Sequence, residues 1–121
     1  MTNKKILIHV GYSKSPFDRT DLDSGTLAGT EYCTIRLAEE LVKLDYRVTV
    51  HGEVKNTFCN GVEYVSLGNI YSQFFDVVIG VAYGHLFKIL EEYKITSKKS
   101  FFWLHNEEPF YWYKGRKLEN I

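Results

Sequence analysis

Apolar and polar positions follow two periods along this chain. Lys5-Ile6-Leu7-Ile8-His9-Val10 is a short apolar run closed by Gly11, the signature of a strand buried on both faces of a parallel sheet. From Tyr12 to Ala28 the chain is polar and carries Pro16, Gly25 and several carboxylate or hydroxyl turn formers, so it reads as a long loop. Thr30 to Leu44 then shifts to helical spacing. Cys33, Leu37, Leu41 and Leu44 recur on one face with Ala38 and Val42 beside them, while Glu39, Glu40 and Lys43 fall on the other. Gly29 opens this helix, and Glu31 in the first turn complements the positive end of its dipole.

Four more apolar segments follow. Arg47 to His51, closed by Gly52, is the second strand; Gly61 to Val65 alternates like a third strand near an edge. Phe75 to Gly80 is a fourth, apolar after Asp76, and Ser100 to His105 a fifth. Between the last two, Gly84 to Tyr93 has the spacing of a short helix with Leu86, Phe87, Ile89 and Leu90. Strands alternating with helices predict the α/β class: a Rossmann-like three-layer α/β/α domain with a mostly parallel sheet. The expected strand order is 3-2-1-4-5 with right-handed crossovers. No internal repeat, low-complexity tract or linker divides residues 1–121, so one domain is expected.

Composition narrows the function classes. The chain has 121 residues, 45% of them hydrophobic, with fifteen basic and fifteen acidic side chains and no net charge. Nucleic-acid binding requires clustered positive charge, and no basic run exceeds the two residues of Lys98-Lys99. Nucleic acid is therefore not an expected partner. The longest nearly uncharged stretch, Asn56 to Gln73, is too polar to span a bilayer. Met1 to Ile6 leads straight into strand-like sequence without a small-residue cleavage site, so it does not read as a signal peptide. Cys33 and Cys59 sit in no CxxC, and no histidine lies at a zinc-ligand spacing from either. Reduced thiols and a cytoplasmic location are expected, and no metal site.

In open parallel sheets, ligands bind beyond the carboxyl ends of the strands where the strand order reverses. The runs ending at Gly11, Gly80 and His105 should converge there, together with the helix start at Gly29, whose unpaired N–H groups suit a phosphate. The glycines make neither GxGxxG nor GxxxxGK[ST]. Glu53, after the second strand, has the place of an acidic ribose partner, but without the glycine fingerprint a conventional NAD site is disfavoured.

A longer pattern does emerge. Ala28-Gly29-Thr30-Glu31-Tyr32, Leu37-Ala38-Glu39-Glu40-Leu41 and Tyr46-Arg47-Val48-Thr49-Val50-His51-Gly52 resemble the amino-terminal signature of GT-B glycosyltransferases of the family-four type. In that family a strand and a long loop lead to a G-G-x-E helix start, then L-A-x-x-L and G-H-x-V-x-V. Phe75-Asp76-Val77-Val78-Ile79-Gly80 is similar to its D-V-V strand, and Trp103-Leu104-His105-Asn106 to its W-x-H-N/D strand end. The likeness runs from Lys5 to Pro109. It departs at Ala28, where the family has the first glycine of its pair, and at Tyr46-Arg47, where it has Gly-His.

The resemblance implies retaining transfer of a hexose from a nucleotide-diphosphate sugar to a hydroxyl acceptor on a glycan, lipid or protein. It implies no cofactor beyond that donor and no metal. It also implies two Rossmann-like domains. The second, holding most of the donor through a basic pair and an E-x7-E segment, would lie beyond Ile121, so the chain alone is expected to be inactive. Carried over residue by residue, Gly29 and Thr30 would hold the donor diphosphate. His105 would be the catalytic contact, and Tyr83, Glu107 and Glu108 would face the acceptor. Each has a plainer alternative: a structural histidine at 105, and a solvated carboxylate pair at 107 and 108. His85, at a helix start, is a weaker ligand candidate. Phe110-Tyr111-Trp112-Tyr113 would stack on a sugar or bury in an interface, and His9 and His51 read as core or strand-end histidines. The competing hypothesis is a stand-alone Rossmann-like module that binds a nucleotide or a protein and catalyses nothing.

Overall fold

In the computed structural model, which describes residues 4–11, 17, 19–25, 29–81 and 90–103, the first strand, β1 (Lys5–Gly11), lies in the interior of the sheet. Ile6, Ile8 and Val10 face one core and Leu7 the other, all at most 4% exposed. That two-sided burial is why the run lacks polar alternation. β1 pairs in parallel with β2 (Arg47–Gly52) on one side and β5 (Phe74–Val81) on the other. The chain adds β2 first and later returns to the opposite flank of β1, so the strand order reverses there.

The complete order is β3-β4-β2-β1-β5-β6, with β3 at Thr57–Cys59, β4 at Val62–Ser66 and β6 at Thr96–Trp103. This differs from the expected five-strand order 3-2-1-4-5. A sixth strand, β3, extends the edge and runs antiparallel to β4. Three residues are too few to show a period, but the turn is legible: Asn60 and Gly61 both have positive φ, 52° and 82°, the backbone of a two-residue hairpin turn. The other pairings are parallel. One six-stranded, mostly parallel sheet with helices places the chain in the α/β class.

Two helices lie between β1 and β2. The six-residue α1 (Arg19–Ser24) falls within the stretch expected to be loop, being too short for a helical period to register. Phe17, 4% exposed, enters the core just before it and bridges to Val54, with the Lys55 N–H donating to the Phe17 carbonyl at 2.9 Å. The 15-residue α2 (Gly29–Lys43) packs along β1, β2 and β4. Its most deeply buried positions are Thr34, Ile35 and Ala38, with Leu37, Leu41 and Val42 partly buried beside them. The expected stripe is therefore rotated, and Leu44 is 67% exposed. The helix ends one residue earlier than expected because Asp45, at φ 73°, turns left-handed. The Asp45 N–H donates to the Val42 carbonyl (2.9 Å) and the Tyr46 N–H to the Leu41 carbonyl (3.2 Å). These two bonds make a Schellman stop and swing Leu44 outward.

The other face of the sheet is covered by a second cluster: Leu7, Ile70, Phe75, Val78 and Ile95, with Val65, Leu90 and Tyr93 packed against it. Of the helix expected over Gly84 to Tyr93, residues 84–89 lie outside the described residues and 90–92 are helical. Lys94, at φ 53°, turns the chain into β6. That strand starts at Thr96 instead of Ser100, because Ser97 and Lys99 pair with Phe75 and Val77 although their sequence is polar. β6 closes the described sheet, and exposed lysines suit an edge strand. Leu104 and His105 lie outside the described residues.

The hairpin turn abuts α2. A Cβ at Gly61 would stand 2.6 Å from Val42 Cγ1 and would also meet the positive φ. Gly61→Ala should cost about 1–3 kcal/mol in urea unfolding. In a Val42→Ala background the added cost should be smaller, since only the backbone strain remains, and a double-mutant cycle would measure the difference.

Candidate functional site

β1 reaches its carboxyl end at Gly11, β2 at Gly52, β4 at Ser66, β5 at Val81 and β6 at Trp103. These parallel strands share a direction, so the ends share one edge of the sheet. The start of α2 belongs to that edge too. Its far end leads within three residues into the beginning of β2, so the helix runs back along the sheet and Gly29 lies at the carboxyl side. Gly29 and Thr30 form its first turn, where backbone N–H groups have no intrahelical partner. Glu31 follows, half-buried. Its Oε1 is shielded from solvent and has no hydrogen-bond partner among the described residues. A carboxylate oxygen in that state is an acceptor waiting for a donor.

The structure thus brings Gly29, Thr30 and Glu31 to the expected edge. Tyr83, His105, Glu107 and Glu108 lie outside the described residues, as do His85 and the 110–113 aromatics. Glu53 stands half-buried just past Gly52.

Sequence reading placed His9 and His51 singly, as core or strand-end residues, and missed their pairing. Both are buried, at 1% and 0% exposure. They are register partners on β1 and β2, on the face away from α2, with their Nδ1 atoms 3.2 Å apart. The ring centroids lie 5.3 Å apart at 35°, and Tyr93 meets His51 edge-on, 87° between ring planes and 5.7 Å between centroids. Burial pushes the His51 pKa down from 6.5 to about 4, which keeps that ring neutral at pH 7. The signal in the sequence was a histidine near the closing glycine of each of two strands, but only the register shows that they meet.

A second concavity, about 380 Å³, opens at the opposite edge and is lined by Lys5, Arg47, Thr49, Phe58, Glu63 and Phe75, among others. The Lys5 ammonium stands 5.3 Å from the Phe75 ring centroid, and Thr49 Oγ1 donates to Glu63 Oε1 at 3.3 Å. Charges of both signs are thus already engaged within the groove, at the edge away from the strand ends. Among the described residues no three His, Cys, Asp or Glu side chains group to hold a metal ion, and no helix is long and apolar enough to cross a membrane. Cys33 and Cys59 are free thiols.

One ion pair ties α1 to α2. Arg19 Nε donates to Glu39 Oε2 at 2.7 Å, with the side chains 17% and 11% exposed, and Asn60 Nδ2 donates to the same oxygen at 3.0 Å. It joins α1, α2 and the β3–β4 turn. Glu39→Gln should cost about 1.5–3 kcal/mol in urea unfolding, the range for a hydrogen bond to a charged group. An Arg19→Ala/Glu39→Ala cycle should show clear coupling. No protein-family model, no curated protein and no solved structure matches the chain.

Proposed function

We propose that the chain is the acceptor-side, amino-terminal Rossmann-like half of a GT-B glycosyltransferase, which transfers a hexose from a nucleotide-diphosphate sugar to a hydroxyl acceptor with retention. The observation that carries the reading is the start of α2. A helix opening at Gly29 beside the strand where the order reverses supports an anion site, and the unpartnered Glu31 Oε1 next to it supports a hydroxyl-bearing ligand. The resemblance from Lys5 to Pro109 supplies the reaction.

The physical roles follow from the chemistry. An oxocarbenium-like transition state leaves negative charge on the departing diphosphate. The free amides of the Gly29–Thr30 turn are fixed dipoles that stabilise such charge without reorganising. Glu31 accepts a sugar hydroxyl and so orients the ring relative to the phosphates. By the resemblance, His105, two positions after Trp103 in the sequence, serves as a polar contact near the reacting carbon, with Tyr83, Glu107 and Glu108 toward the acceptor. The cationic partners of the diphosphate belong to a second domain outside these 121 residues.

Titration calorimetry of this chain with nucleotide-diphosphate hexoses should give binding no tighter than the millimolar range, because most donor contacts lie in the other domain. Micromolar binding would overturn that division and favour the nucleotide-binding module. In an enzyme carrying both domains, His105→Ala should lower transfer by about 10²–10⁴ with an unchanged melting temperature. Unchanged turnover would remove His105 from the site.

A further inference from the structure

We propose that the groove at the amino edge of the sheet is a binding site for a phosphorylated sugar, separate from the crevice at the strand ends and independent of the glycosyltransferase reading. Its base is a pair of cations held side by side. Lys5 of β1 and Arg47 of β2 are register partners, and the Arg47 N–H donates to the Lys4 carbonyl at 2.9 Å, which fixes that pairing. Lys5 is one pleat repeat before Leu7, and Arg47 one before Thr49, so both belong to the face away from α2. Neighbouring strands lie about 4.8 Å apart, and like charges directly opposite one another repel.

Neither charge is taken up by an ion pair among the described residues. Asp76 Oδ2 accepts the Lys5 backbone N–H at 2.8 Å, and Glu63, on the strand next to Arg47, accepts the Thr49 hydroxyl at 3.3 Å. The Lys5 ammonium stands 5.3 Å from the Phe75 ring centroid, which steadies the cation without neutralising it. A phosphate monoester carries roughly one and a half to two negative charges near pH 7 and so matches two adjacent cations. A carboxylate matches only one.

The rest of the lining selects what the phosphate is attached to. At about 380 Å³ the groove is within the range of small-molecule sites. Phe58 of β3, 72% exposed, stands in one row with Glu63 of β4 and Thr49 of β2, and exposed Gln73 lines the groove as well. A pyranose offers a C–H face to an aromatic ring and hydroxyls to the polar side chains around it. Glu63 accepts hydroxyl protons, and Gln73 both donates and accepts. An aromatic phosphate would meet Phe58 but leave Glu63 facing a ring without a donor. Strand spacing puts Phe58 roughly 12 Å from Arg47 along the backbone layer, a gap that their side chains narrow to the length of a hexose phosphate.

Amide NMR of the full chain, titrated with glucose 6-phosphate, reads both affinity and place. Saturable shifts are expected at Thr49, Phe58 and Glu63 and not at Gly29 to Glu31. Binding should be at least about tenfold tighter than that of glucose or of inorganic phosphate. Shifts confined to the Gly29 turn would put the anion at the helix start and overturn the proposal, as would an affinity no better than that of inorganic phosphate. Phenyl phosphate binding as tightly as glucose 6-phosphate would overturn the sugar assignment. Arg47→Gln should weaken glucose 6-phosphate about tenfold, as for one lost charge-assisted contact. Phe58→Ser should weaken it about threefold and leave inorganic phosphate unchanged. Both side chains are exposed, so both variants should fold, which their melting temperatures check. Wild-type affinity in Arg47→Gln would refute the site, and the wild-type shifts decide the matter if a variant does not fold.

Discussion

The fold depends on β1 being buried on both faces. A strand in that position must pair on both edges, because unpaired amides in a dry interior are prohibitive, and must carry apolar side chains both up and down. Lys5 to Val10 meets the second demand and β2 and β5 meet the first. Once β1 is central, α2 has one face to cover and the 90–95 segment the other. The reversal of strand order at β1, and with it the crevice at the strand ends, follows from the same placement.

Turns do the remaining positioning, and two depend on backbone conformations that few residues accept. Asp45 adopts φ 73° to stop α2 and send Arg47 into register with Lys5; an aspartate tolerates this because its short polar side chain can bond locally. Asn60-Gly61 folds β3 back on β4, and the glycine does double duty because Val42 of α2 leaves no room for a Cβ. The helix and the hairpin are thereby locked at one spot, next to the Glu39 oxygen that Arg19 and Asn60 share.

How far the sequence could be read tracks how local each signal is. β1, β2 and β5 were visible because a run of apolar residues closed by glycine is a property of consecutive positions. The extent of α2 was visible for the same reason, to within a residue. Its buried stripe was not: Leu44 looked like a core position until the Asp45 turn cut the helix short, while Thr34 and Ile35 lie deeper than Cys33 or Leu37. α1 and β3 are too short for periodicity, and the Asn60-Gly61 turn between β3 and β4 went unread because Gly61 was taken as the start of a strand. At the candidate site, Gly29 and Thr30 were legible as a helix start, whereas the unpartnered oxygen of Glu31 depends on what surrounds it. The His9–His51 contact depends on inter-strand register, which two separate segments do not encode locally.

The two chemical features at the carboxyl edge sit on opposite sides of one strand. Alternation sends Val10 toward α2 and His9 away from it, so the helix start and the histidine pair share β1 but not a face. The pair lies in the seam between β1 and β2, and α2 bridges that same seam from the other side. The Gly11–Gly52 register pair closes that seam at the carboxyl edge, the edge from which α2 starts.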